Sequence, residues 1–104
     1  VEQYVCQQLV VQGIKPRYWT NPNPQGRAEI DFVVEQGDEI FPIEVKSSSN
    51  IRAKSLAYVC SRYGLHGIRT GEIGYREQDW MTNIPLWCVD GLSAYLKRRI
   101  AKKE

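Results

Sequence analysis

Between residues 28 and 46 the chain reads Ala-Glu-Ile-Asp-Phe-Val-Val-Glu-Gln-Gly-Asp-Glu-Ile-Phe-Pro-Ile-Glu-Val-Lys. Apolar and polar side chains alternate through both halves, as they do in strands with one buried face. Ile30, Phe32 and Val34 share a face of residues 28–35, and Phe41, Ile43 and Val45 share a face of residues 39–46. Gln36-Gly37-Asp38 between them is turn chemistry, because Gly tolerates positive φ and Asp bonds nearby backbone. A two-residue Gly37-Asp38 loop pairs Gln36 with Glu39 and sets Asp31 opposite Glu44. Side chains repeat with period two along a strand, so Lys46 stands beside Glu44 on the same face. A slip of one residue would separate the three.

Two carboxylates at close quarters repel unless a cation sits between them. Hard oxygen ligands suit Mg²⁺, which takes one or two carboxylates and keeps several waters. A neighbouring Lys stabilises charge developing on a phosphate or orients an attacking water. Asp31 with Glu44 and Lys46 is therefore a working set for phosphodiester hydrolysis. The plain alternative is a solvated cross-strand salt-bridge set without chemistry.

Asp31 followed by Glu44-Val45-Lys46 resembles the core of the PD-(D/E)XK nuclease superfamily. The stretch 28–34 (Ala-Glu-Ile-Asp-Phe-Val-Val), with Pro42-Ile43-Glu44-Val45-Lys46-Ser47 after it, is similar to one branch in particular. That branch is the domain of unknown function that follows an AAA+ ATPase module in many bacterial and archaeal proteins. The resemblance runs from Glu2 to Ile84-Pro85-Leu86. It implies a restriction-endonuclease-like core, Mg²⁺ or Mn²⁺ as cofactor, DNA as substrate and an ATPase module in the same full-length chain. It assigns metal binding to Asp31, Glu44 and the Val45 carbonyl, and action on water or developing charge to Lys46. Glu2, on the first helix, matches the superfamily's helix-borne acid and assists. Gln8 stands where many relatives of this branch carry a second Glu.

The rest of the chain supplies the frame. Residues 1–12 read as a helix ended by Gly13, with Glu2 bordering the side that packs on the sheet. Residues 17–20 (Arg-Tyr-Trp-Thr) read as a first strand. The Pro- and Gly-rich loop 21–27 ends in Arg27, a candidate phosphate contact. Ser47, Ser48, Ser49 and Asn50 stop the hairpin and provide an N-cap. A helix over residues 51–63 follows, with Ala53, Leu56, Ala57, Cys60 and Tyr63 as its apolar face and Gly64 at its end. Arg27, Ser47 and Lys54 are the candidate nucleic-acid contacts. Residues 65–69 should form a strand parallel to an earlier one, because a helical crossover precedes them. Residues 70–82 read as a loop, residues 84–89 as the last strand, and Asp90 as the cap of a final helix over residues 92–102. That helix ends in basic residues, Lys97, Arg98, Arg99, Lys102 and Lys103, which suit its dipole or a phosphate.

The expected architecture is α/β: a central mixed sheet with flanking helices, in the order α-β-β-β-α-β plus one strand and a C-terminal helix. At 104 residues a single domain, 1–104, is the natural prior. Its start at Val1 and lone Met81 suggest an excised C-terminal domain of a larger ATPase. A net charge of +2 is too small to argue nucleic-acid binding by itself. No apolar run approaches the ~20 residues that span a bilayer, so no membrane partner and a cytoplasmic location are expected. Cys6, Cys60 and Cys88 are widely spaced with a lone His66, which argues for reduced thiols and against zinc. No Gly-x-x-x-x-Gly-Lys loop occurs, so the chain itself should not bind ATP. Two readings stay open: a metal-dependent nuclease, and a catalytically silent DNA- or protein-binding module of an AAA+ ATPase.

Overall fold

The computed structural model describes residues 2–17, 32–46 and 51–103, with the side chains of Glu2, residues 51–55 and Lys103 left aside. These residues form an α/β arrangement with three α-helices and a five-stranded mixed sheet among them. The elements are α1 (Glu2–Val11), β1 (Phe32–Gln36), β2 (Glu39–Val45), α2 (Ile51–Tyr63), β3 (Gly67–Gly71), β4 (Arg76–Glu77), β5 (Met81–Pro85) and α3 (Leu92–Lys103). A 3-10 helix, Leu86–Gly91, joins β5 to α3.

The sheet order is β1-β2-β3-β5-β4. β2 and β3 run parallel, as do β3 and β5, whereas β1 and β4 pair antiparallel at the two edges. The hairpin has the expected register, from Gln36↔Glu39 to Phe32↔Ile43. The next rung, Asp31 against Glu44, lies outside the described residues. Of the anticipated strand at residues 17–20 only Arg17 is described. It bridges Val33 antiparallel, with both backbone hydrogen bonds made, at 2.9 and 2.7 Å.

Parity along the strands divides the sheet into two sides. Phe32, Val34, Phe41, Ile43, Val45, Ile68 and Ile84 face α1 and α3, where Val5, Leu9, Leu92 and Leu96 complete the larger core. Leu56, Val59 and Cys60 of α2 pack with Met81 and Val33 on the other side. Gly13 and Gly64 end α1 and α2 with φ near 81° and 66°. Each is followed by an N–H that reaches back five residues, Ile14 to the Leu9 carbonyl at 2.9 Å and Leu65 to Cys60 at 3.0 Å, which satisfies otherwise orphaned carbonyls.

Four expectations are corrected. Tyr63 is about half exposed and Val59 is buried in its place, because α2 lies so close to β3 that only its Leu56–Val59–Cys60 stripe fits. The stretch 70–82 is not a loop, since it contains the end of β3, all of β4 and the start of β5. The last strand ends at Pro85 rather than residue 89. Beyond it Val89 is buried while Trp87 and Cys88 are exposed, a period of three that matches the 3-10 turn. Asp90 lies within that turn and does not cap α3. The cap comes from Gln12 instead: its Oε1 accepts the Ser93 N–H at 2.7 Å, and its Nε2 donates to the Val89 carbonyl at 2.8 Å.

The α2–β3 approach depends on Gly67. A Cβ there would stand 2.8 Å from Cys60 Sγ and 3.0 Å from Leu56, closer than a packed core accommodates. Gly67→Ala is expected to destabilise the domain by about 1–3 kcal/mol, the cost of overpacking a core, measured by urea unfolding. A midpoint equal to wild type would show that α2 can move away freely.

Candidate functional site

Glu44 sits near the C-terminal end of β2, with parity opposite to Ile43 and Val45. Its side chain therefore points to the α2 side of the sheet, and it is completely buried. Directly across the parallel ladder is Arg69. The Arg69 Nε lies 3.6 Å from Glu44 Oε2, and the guanidinium side chain is 13% exposed. A carboxylate taken out of water requires a countercharge, and Arg69 provides one. The row continues across the sheet as Arg69↔Asn83 and Asn83↔Arg76, so Glu44, Arg69, Asn83 and Arg76 occupy one line on one side of four strands. The pairing is loose: Arg69 Nε and Asn83 Oδ1 are buried and make no hydrogen bond.

Lys46 follows on the same side of β2. Its backbone N–H donates to the Thr70 carbonyl at 2.7 Å, which fixes it at the last rung of the β2–β3 ladder, and its side chain is half-buried beside Gly71. Val45 points the other way into the main core, so only its backbone is available to a ligand. The structure thus brings Glu44 and Lys46 to one side of one strand. Asp31, Arg27 and Ser47 lie outside the described residues, as do the side chains of Glu2 and Lys54. α1, which carries Glu2, packs through Val5 and Leu9 against the side of the sheet opposite to Glu44. Among the described residues no three His, Cys, Asp or Glu side chains cluster as a metal site.

Arg69, Asn83 and Arg76 were not legible as site residues. Their place beside Glu44 depends on β3 and β5 pairing parallel to β2, and local alternation does not report long-range pairing. The one available signal was parity: Arg69 is the charged residue between Ile68 and Thr70. A larger cleft of about 570 Å³ is lined by Tyr4, Glu72, Ile73, Gly74, Leu86 and Trp87, with a single carboxylate and no basic partner among the described residues.

All three cysteines are free thiols. Burial pushes the Cys60 thiol up to about 11, whereas Cys88 is exposed. Thiolate is the reactive form, so a thiol reagent at mildly alkaline pH is expected to label Cys88 rapidly and Cys60 only after denaturation, read by mass spectrometry of timed digests.

Residues 1–89 match the model of the family described as Domain of unknown function (DUF4143), and the chain belongs to that family. No curated protein and no solved structure matches it. No helix among the described residues is long and apolar enough to cross a membrane.

The Glu44–Arg69 pair makes a stability prediction that needs no ligand. Glu44→Ala leaves a nearly buried guanidinium without its countercharge, at a cost of about 3 kcal/mol. Glu44→Leu combined with Arg69→Met removes both charges and is expected to recover most of that loss in urea unfolding. A single-variant loss below about 0.5 kcal/mol, the range of neutral surface changes, would exclude the pair from the core.

Proposed function

We propose that this family member is a metal-dependent nuclease-like domain with a restriction-endonuclease-like core, hydrolysing phosphodiester bonds in DNA. In the full-length chain it follows an AAA+ ATPase module in the cytoplasm. The observation that carries the reading is a completely buried glutamate, Glu44, two residues from Lys46 at the end of a central strand. An acid in that position is costly to a purely structural sheet and useful to a catalytic one. The hairpin register supports it too, because a ladder through Phe32↔Ile43 has Asp31 as the next residue toward Glu44.

The donor chemistry fits Mg²⁺ or Mn²⁺. Asp31 and Glu44 carboxylates with the Val45 carbonyl are hard oxygen donors of the kind these ions take. When bound, the ion supplies Lewis acidity and a more acidic water. Glu44 and Asp31 would hold that ion. Lys46 would meet the charge that develops on the phosphate or position the attacking water, and Glu2 is left out of the proposed set because α1 packs on the other side of the sheet. Arg27, Ser47 and Lys54 are the proposed phosphate contacts. Arg69, loosely paired with Glu44, shares the carboxylate and thereby weakens its hold on a cation.

A second reading has its own observation. Arg69 already balances Glu44 without any ion, as expected of a silent DNA- or protein-binding module that serves the ATPase. Calorimetric titration with Mn²⁺ and Mg²⁺, alongside cleavage assays on mixed DNA substrates, separates the two. The nuclease reading expects binding that is lost in Asp31→Ala and Glu44→Gln and tightened in Arg69→Gln. It expects cleavage lost in Lys46→Ala with metal binding kept. No binding at millimolar metal and no cleavage would leave the hairpin as scaffold and favour the binding module.

A further inference from the structure

α3 carries more positive charge than its packing uses. Leu92 and Leu96 are buried, and Arg99 is paired with Glu77 on β4 at 3.2 Å. Arg98 and Lys102, one helical turn apart, are both exposed and make no salt bridge among the described residues. Side chains four apart on a helix share a face, so these two cations point to one place. There they line a cavity of about 240 Å³ with Arg99, Tyr75, Tyr95 and Glu77. This is below the roughly 300 Å³ at which drug-sized pockets begin, a size for one phosphate and its sugar.

The floor of the cavity is fixed by a chain of hydrogen bonds. Tyr95 Oη donates to Glu77 Oε2 at 3.0 Å. A phenol has one proton to give, so the Thr82 hydroxyl, 2.7 Å away, donates to Tyr95. His66 Nε2, 2.7 Å from Thr82 Oγ1, then donates to Thr82. Thr82 is fully buried and His66 nearly so. Burial raises the Tyr95 pKa, which keeps the phenol a donor. Glu77, the one carboxylate among the described residues that line the cavity, is thus engaged through Oε2 by Tyr95 and Arg99. It orders the floor, and Arg98 and Lys102 are left facing solvent. At the rim Tyr75 is 59% exposed.

We propose that this cavity holds one phosphate of a single-stranded nucleic acid, with Arg98 and Lys102 as its cations and the adjoining base stacked on Tyr75. Paired cations at a point favour a phosphodiester, and an exposed ring can stack only on a base that is out of a duplex. The site extends the nucleic-acid reading above to a second place on the domain. It faces α3, whereas Glu44 and Arg69 face the α2 side of the sheet. It would bring a strand to the domain without taking part in its cleavage.

The test is fluorescence anisotropy at low salt in EDTA, with labelled oligothymidylate, labelled oligouridylate and a duplex of equal length. Working in EDTA separates the outcome from the metal reading, which calorimetry decides on its own. One or both single strands are expected to bind more tightly than the duplex, and the two labels tell DNA from RNA. Arg98→Ala with Lys102→Ala should weaken binding and reduce the slope of log affinity against log salt by about 0.7, the value for one phosphate on a single strand. Tyr75→Ala should weaken it about fivefold or more while leaving that slope unchanged, as lost stacking does. All three side chains are exposed, so an unchanged thermal midpoint certifies the fold. No single-strand binding, or binding indifferent to both sets of variants, would overturn the site.

Discussion

The turn at Gly37-Asp38 is two residues long, and that shortness leaves the hairpin little freedom to slip. Gln36↔Glu39 is the first rung, and every later rung follows by counting. Because side chains alternate along a strand, the same count decides which residues of β2 enter the main core and which turn to the opposite side. Phe41, Ile43 and Val45 go one way, and Glu44 and Lys46 the other. An extra residue in the turn would exchange the two sets, burying charge under α1 and α3 and exposing the apolar face. The apolar core and the candidate site are thus two consequences of one register.

That sidedness is carried outward by the helices. α1 and α3 pack on the apolar side and are tied to each other by Gln12, whose amide satisfies Ser93 and Val89 at the start of α3. α2 crosses on the other side, close enough to require Gly67. The polar row from Glu44 through Arg69 and Asn83 to Arg76 lies on the α2 side, while the chain from His66 to Glu77 lies on the α3 side. Thr82 and Asn83, adjacent in β5, serve different sides for the same reason that Ile43 and Glu44 do.

Local signals read well from the residues. Alternation located β1 and β2, the Gly-Asp turn set their register, and glycines marked the ends of α1 and α2. The mixed sheet flanked by helices also followed from element order. The region after α2 read poorly. β4 is only two residues long and has no periodicity to detect. The run Ile84-Pro85-Leu86-Trp87-Cys88-Val89 is apolar throughout, so composition could not separate strand from 3-10 turn. Gln12 as a cap for α3 was invisible because the contact joins residues 81 apart in sequence. Arg69 was hidden by the same limit: its partner is chosen by strand order, a property of the whole sheet.

The charge at the site frames what the proposed chemistry must do. Arg69 and Lys46 offer two positive charges, and Glu44 with the proposed Asp31 two negative ones, so the bare set is balanced. A divalent cation added alone would leave it with excess positive charge in a partly buried place, where imbalance is expensive. A phosphodiester brings one negative charge. Cation and substrate together would leave one excess positive charge where the cation alone would leave two. Under the proposed reading each should therefore favour the other's binding, and by linkage the coupling is equal in both directions. Under that reading Arg69 would contribute to its strength, since its hold on Glu44 is one that an entering cation must overcome.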